Sequence, residues 1–132
     1  MIIGIGTDLV DTNRIAQSWE QHGQRFLDRC FSAEEQKTAE KYKHKDQQIS
    51  YYAKRWAAKE AVAKACGTGI GADIGFHDIE ISNDDKGKPM ISLSSEGEKF
   101  VKTLCAKKTP MLNLSLSDEH GFALAFVVIS AE

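Results

Sequence analysis

The run Arg55-Trp56-Ala57-Ala58-Lys59-Glu60-Ala61-Val62-Ala63-Lys64-Ala65-Cys66-Gly67-Thr68-Gly69-Ile70-Gly71 constrains this chain more than any other stretch. Alanine, lysine, glutamate and arginine favour helix, no proline interrupts them, and Gly67 stands where a left-handed residue would cap the end. The pattern predicts a central helix over 49–66 that stops abruptly in a glycine turn. At about 100° per residue, Glu60 shares a stripe with Ala53, Trp56, Ala57, Ala63 and Lys64, which is mostly small and apolar. A carboxylate in that setting is either the i,i+4 partner of Lys64 or an acid held for chemistry.

A second carboxylate sits in a similarly bare setting. Met1 to Val10 reads as a strand whose period of two puts Gly4, Gly6 and Asp8 on one face and Ile3, Ile5 and Thr7 on the other. The glycines admit either a crossing backbone or a ligand beside Asp8.

Between these acids the chain reads as short helices. Asp11 or Thr12 caps a first helix to about Gln21, and Arg25 and Arg29 follow at i,i+4 around Phe26 and Leu27. Ser32-Ala33-Glu34-Glu35 is a capping box that opens another helix, to about Tyr42, and residues 43–48 form a polar connector. Beyond the glycine turn, 77–82 and 90–93 read as a hairpin across turn residues 83–89. Ser94 or Ser95 then caps a helix ending at Lys107-Lys108, and 111–116 and 122–130 form the last two strands, the final one apolar enough to be covered on both faces. The expected class is α+β, helices packed on a mostly antiparallel sheet, in a single domain over 1–132.

A chain of 132 residues, 42% hydrophobic and 27% charged, fits one core, and a net charge of −2 argues against non-specific nucleic-acid binding, which needs a basic excess. Cys30, Cys66 and Cys105 have no CxxC spacing and cannot all pair, which favours a reducing, cytoplasmic setting. The N-terminal apolar run is too short for a signal peptide or a membrane span.

The glycine turn does not fit the common nucleotide loops. A Walker loop needs GxxxxGK[ST] between strand and helix and a dinucleotide fingerprint opens a helix, whereas these glycines close one. A helix C-terminus repels anions, so a phosphate near it needs Arg55, Lys59, Lys64 or a metal. His22, His44, His77 and His120 lack zinc-ligand spacing, and no GxSxG is present. Asp8 and Glu60 with Lys59 and Lys64 nearby suit Mg²⁺ and a phosphate-bearing substrate.

Gly4-Ile5-Gly6-Thr7-Asp8-Leu9-Val10, taken with Arg55-Trp56-Ala57-Ala58-Lys59-Glu60-Ala61 and Ala65-Cys66-Gly67-Thr68-Gly69-Ile70, resembles the two signature blocks of the bacterial holo-acyl-carrier-protein synthases, the small 4′-phosphopantetheinyl transferases. The likeness extends through Phe76-His77-Asp78-Ile79 and Gly87-Lys88-Pro89. It implies transfer of phosphopantetheine from coenzyme A (CoA) to a serine of apo acyl carrier protein, releasing adenosine 3′,5′-bisphosphate. It further implies Asp8 and Glu60 as Mg²⁺ ligands and a homotrimer with CoA between neighbouring subunits. On that reading Lys64 meets developing oxyanion charge, and Arg55 and Lys59 meet CoA phosphates. Gly67, Thr68 and Gly69 let backbone approach the nucleotide, while Lys88 and Pro89 border its adenine. Glu60 or a metal-bound water takes the serine proton, and Arg14, Arg25 and Arg29 face the acidic carrier protein.

One departure stands out. Many members of that family carry a Ser/Thr-His-Ser/Thr triplet before the last strand, where this chain has Ser115-Leu116-Ser117-Asp118-Glu119-His120, so no histidine role transfers to His120. A CoA-binding or carrier-binding module without catalysis, and a structural oligomer with an ordinary charged helix, are the rival readings.

Overall fold

The computed structural model describes residues 1–132. The elements are β1 (Ile2–Asp11), α1 (Thr12–His22), α2 (Gln24–Cys30), α3 (Ala33–Ala39), α4 (Lys45–Ala65), a 3₁₀ turn (Phe76–Asp78), β2 (Ile79–Asn83), β3 (Pro89–Leu93), α5 (Ser95–Leu104), β4 (Pro110–Glu119) and β5 (Phe122–Ala131). β1, β5 and β4 form an antiparallel sheet in that order, and β2 and β3 form a separate hairpin. The fold is α+β, with α4 packed across the larger sheet.

Helix α4 is the hub. Ala53, Ala57, Ala58, Ala61, Val62 and Ala63 are all fully buried, because small side chains let neighbours close on it from several directions. Its start lies before the expected one. The polar residues 45–48 are its first turn rather than connector: Asp46 favours the positive helix end, and the Lys45 ammonium sits 3.3 Å from the centre of the Trp19 ring. Lysine and glutamine are good helix formers, so polarity alone does not mark a loop.

The glycine face of β1 lies directly against α4. A Cβ at Gly4 would stand 1.9 Å from the Ala65 carbonyl oxygen, and one at Gly6 would stand 2.1 Å from that of Ala61. Of the two readings of those glycines, the crossing backbone is the one observed. It sets the strand so close to the helix that Asp8, next on the same face, is delivered to the surface of α4.

Other boundaries shift for local reasons. His77 lies in the 3₁₀ turn and not in a strand, because the Asp78 carboxylate accepts from Gly75 N–H at 2.8 Å and from the Ser94 hydroxyl at 2.6 Å, holding the chain bent. Helix α3 ends at Ala39, and α5 ends at Leu104, after which Ala106 and Lys107 take positive φ. The β4–β5 connection is only His120-Gly121, both at positive φ, a tight hairpin turn that matches the twist of the two strands.

Strand β5 is covered on one face only within this chain. Ala123, Ala125, Val127 and Ile129 are buried toward α4, but Phe122, Leu124 and Phe126 are exposed on the other side beside Ile5 and Leu9 of β1. No helix is long and apolar enough to cross a membrane.

Candidate active site

Three side chains expected to act together do converge where β1 crosses α4. Lys64 donates to Asp8 Oδ1 at 2.9 Å and to the Thr7 carbonyl at 3.0 Å. Its ion pair is therefore with Asp8 across the crossing, not with Glu60 along the helix. Asp8 is buried, and its Oδ2 has no hydrogen-bond partner. Glu60, half-buried, has its carboxyl pKa raised above the usual value, first by burial and next by the neighbouring Asp8 charge, while Lys64 and Arg14 pull it down. A buried carboxylate with an unpartnered oxygen, next to a second one whose ionisation it opposes, makes a donor set fit for a hard divalent cation. Only two protein carboxylates contribute, and no group of three candidate ligands exists. Mg²⁺ commonly takes one or two carboxylates and completes its shell with water and substrate phosphate.

Arg14 borders this cluster, its guanidinium 4.9 Å from the centre of the Trp56 ring, and Trp56 leans on Phe76. Arg25 and Arg29 are exposed on α2 and, like Arg14, make no ion pair within the chain. Asp28, between Arg25 and Arg29 in the chain, instead accepts from Gln24 at 2.7 Å and Gln36 at 3.1 Å.

Lys59 does not join the site. Its ammonium is buried and donates to Glu35 Oε1 at 2.7 Å, to the Cys30 carbonyl at 2.8 Å and to the Phe76 carbonyl at 3.3 Å. All three protons are engaged, so a CoA phosphate finds no free donor there, and the expected phosphate role gives way to a structural one. Burial pushes the Lys59 pKa down and Glu35 pulls it back. Glu35 itself also accepts from Ser32 N–H and Ile81 N–H, each at 2.8 Å, so one carboxylate joins α3, α4 and β2. The capping box made Glu35 visible in the sequence only as a helix start. The missed signal was Lys59 itself, a cation within a run of buried alanines that requires a buried acid.

Arg55 occupies a different face. It lies over the Tyr51 ring at 4.2 Å, donates to Asn83 Oδ1, and leaves Nε buried without a partner. With Pro89, Gly87 and Asn83 of the β2–β3 hairpin it lines a cavity of about 200 Å³. Five residues separate Arg55 from Glu60, a rotation of about 140° on the helix. Gly67 is farther still, about 18 Å along the axis from Arg55. Gly67 and Gly69 take φ of 83° and 69° and have open space where a side chain would sit, so the backbone conformation is what calls for glycine. The structure thus brings Asp8, Glu60 and Lys64 together, and separately Arg55 and Pro89. Within one chain it does not bring these two groups to one another, nor either to Lys59.

The sequence profile of the 4′-phosphopantetheinyl transferase superfamily matches residues 4–127. The chain belongs to this superfamily. A holo-[acyl-carrier-protein] synthase from Ehrlichia chaffeensis is 43% identical over 132 residues, covering 100% of this chain and 99% of that protein. Among solved structures, the holo-[acyl-carrier-protein] synthase of Neisseria meningitidis superposes with a TM-score of 0.88 at 38% identity, covering 98% of this chain and 99% of that one. A Bacillus anthracis holo-(acyl-carrier-protein) synthase, solved in complex with CoA (3′,5′-ADP), gives 0.82 at 36% identity over 100% and 99%. The phosphopantetheinyl transferase fold therefore runs the length of the chain, and the Asp8–Glu60–Lys64 cluster lies within the matched region.

Proposed function

We propose that this transferase moves 4′-phosphopantetheine from CoA to a serine of apo acyl carrier protein, using Mg²⁺ held by Asp8 and Glu60, in support of fatty acid synthesis in the cytoplasm. The observation that carries the reading is the meeting of Asp8, Glu60 and Lys64 at the β1–α4 crossing, with Asp8 Oδ2 unpartnered. Mg²⁺, when bound, supplies charge neutralisation on the diphosphate of the donor. The chain's own residues do the rest. Asp8 and Glu60 would hold the cation that offsets the charge of the diphosphate, and the half-exposed Lys64 ammonium is free to leave Asp8 for a phosphate oxygen that gains charge as the serine attacks. Ionised Glu60 is within the cluster that takes up the serine proton, directly or through water. Arg14, next to the cluster, with Arg25 and Arg29 on the adjoining helix, gives an acidic carrier protein a positive approach to the reacting atoms.

A homotrimer with the donor between subunits accounts for two features of the single chain. The face of the larger sheet turned away from α4 exposes Ile5, Leu9, Phe122, Leu124 and Phe126, an apolar patch suited to contact with further copies. The nucleotide-facing residues Arg55, Lys88 and Pro89 lie on another side of α4 from Asp8, Glu60 and Lys64. A donor clasped between neighbours reaches the hairpin of one chain and the acids of the next, alongside Gly67, Thr68 and Gly69.

Incubation of the protein with CoA, Mg²⁺ and an apo carrier protein, followed by mass spectrometry of the carrier, tests the reading: one phosphopantetheine is added per carrier. Asp8→Ala and Glu60→Gln each lower the rate about 100-fold or more while the fold is kept. Wild-type rates in both variants at saturating Mg²⁺ would count against the assignment, and an unmodified carrier would remove it.

A further inference from the structure

The turn of α4 that carries Glu60 is packed almost wholly by alanine. Ala57, Ala58, Ala61 and Ala63 surround it with Val62, and the large buried rings of the helix, Tyr51 and Tyr52, lie about two turns earlier. Methyl groups interdigitate shallowly, so such a surface sets how closely neighbours approach and hardly fixes the rotation of the helix about its axis. Contact with Gly4 and Gly6 of β1 is of the same kind, strand backbone against a smooth helix face. Glu60 makes no ion pair that would fix it. Rotation matters because a helical carboxylate stands about 5–6 Å from the axis, where a turn of about 10° displaces it by about 1 Å.

One strongly directional contact lies beside it. Lys59 and Glu35, 1% and 2% exposed, meet at 2.7 Å, and the Lys59 ammonium also reaches the carbonyls of Cys30 and Phe76. Glu35 in turn accepts from Ser32 N–H and Ile81 N–H. From a single residue of α4 the network therefore reaches α2, α3, the 3₁₀ turn and β2. A buried ion pair adds little net stability over an apolar pair of similar volume, but unlike the apolar pair it is satisfied in one arrangement only. We propose that Glu35 and Lys59 are positioning residues, a rotational pin that holds α4 with Glu60 turned toward Asp8, and that together they contribute to rate more than to stability. The inference rests on the transferase reading for the role of Glu60, and on the buried network for the restraint.

A double-mutant comparison separates a pin from a merely structural pair. Lys59→Met alone strands the Glu35 charge and lowers the melting temperature; adding Glu35→Gln removes that charge and is expected to restore most of the loss. The rate is expected not to return with it. Because a misplacement of about 1 Å costs about 100-fold and the unpinned helix still visits the productive rotation, kcat in the double variant is expected about tenfold below wild type, with the KM for CoA unchanged. Binding of Mn²⁺ in the presence of CoA and the absence of carrier, read by electron paramagnetic resonance, is expected to weaken about tenfold. Val101→Ala, a buried truncation on α5, lowers the melting temperature and is expected to leave both readouts at wild-type values. Recovery of kcat or of Mn²⁺ affinity together with stability in the double variant overturns the proposal, and so do equal losses in Val101→Ala. If the double variant does not fold, Glu35→Gln alone takes its place under the same criteria. Weakened Mn²⁺ binding in the variant, with no transfer even by wild type, defeats the transferase reading and leaves the pin standing. Ordinary transfer by wild type with both readouts unmoved in the variant defeats the pin alone, and a wild type that binds no Mn²⁺ removes both.

Discussion

Gly6→Ala is expected to disable the enzyme from a position that touches no substrate. The added Cβ would stand 2.1 Å from the Ala61 carbonyl oxygen and 2.6 Å from the Ala65 nitrogen, both backbone atoms of α4 that cannot rotate aside. Ordinary contact begins near 3.4 Å, so β1 must retreat from the helix by about 1.3 Å. Overpacking of this kind costs about 1–3 kcal/mol, of which alanine recovers part through its smaller loss of backbone freedom in a strand. A net loss of about 2 kcal/mol corresponds to a melting temperature lower by about 8 °C for a chain of this size. Asp8 lies two residues on and moves with the strand, which breaks its 2.9 Å contact with Lys64 and parts it from Glu60. A displacement of about 1 Å in a reacting constellation costs about 100-fold in rate. The assay is the initial rate of carrier modification at saturating CoA and Mg²⁺, at a temperature where scanning calorimetry shows the variant folded. Gly4→Ala is the control: its Cβ would stand 1.9 Å from the Ala65 oxygen, so the stability loss is comparable, but Asp8 is twice as far along the strand and the rate falls less. Wild-type turnover in folded Gly6→Ala would refute the claim that the glycine face positions Asp8. Equal rate losses in the two variants would refute it as well.

Three further outcomes follow from the geometry. Because the Glu60 pKa is raised in the folded state, the native protein keeps that proton to higher pH than the unfolded chain does, so stability falls as pH rises from about the ordinary glutamate value of 4.5 through the raised one. In Mg²⁺-free buffer at neutral pH, Glu60→Gln should therefore melt above wild type while remaining inactive, and added Mg²⁺ should stabilise only the wild type; a lower melting temperature for the variant would contradict the shift. Lys59→Met leaves Glu35 buried without its counter-charge and should cost about 3–5 kcal/mol by urea titration, with the KM for CoA of the folded fraction unchanged. A selective rise in KM with full stability would restore Lys59 to the phosphate site. Arg14→Glu should raise the KM for carrier protein and flatten its salt dependence, and an unchanged KM would remove Arg14 from the docking face.

How far the sequence revealed these features depended on whether the signal was local. The capping box at Ser32, the glycine stop at Gly67 and the bare face of β1 are each written within a few residues, and all three appear in the structure. Asp8 and Glu60 were legible because each acid breaks an otherwise small and apolar face. Lys59 was not, since a helix-favouring lysine beside an acid of the expected site looks like part of the same site until the third dimension shows Glu35 below it. The link from Asp118 to Ser50 spans 68 residues and leaves no periodic trace. The first turn of α4 was hidden for the opposite reason, because a polar segment reads as loop when its apolar support, the Trp19 ring under Lys45, comes from another helix.

Lys59 and Glu60 show how adjacency in sequence can serve opposite ends. A step of about 100° around α4 turns the lysine toward α2, α3 and β2 and the glutamate toward β1. The lysine's three donors fix that turn of helix to Cys30, Glu35 and Phe76, so the glutamate beside it is held while its own carboxyl remains without a tight partner. A carboxyl kept in place by its own hydrogen bonds would be less available to a cation. Anchoring its neighbour instead leaves Glu60 both positioned and uncommitted, and the glycine face of β1 does the same for Asp8 from the other side, leaving Oδ2 open. The two acids are thus held by backbone packing and by an adjacent buried ion pair, and the atoms that would bind the cation carry little of the load.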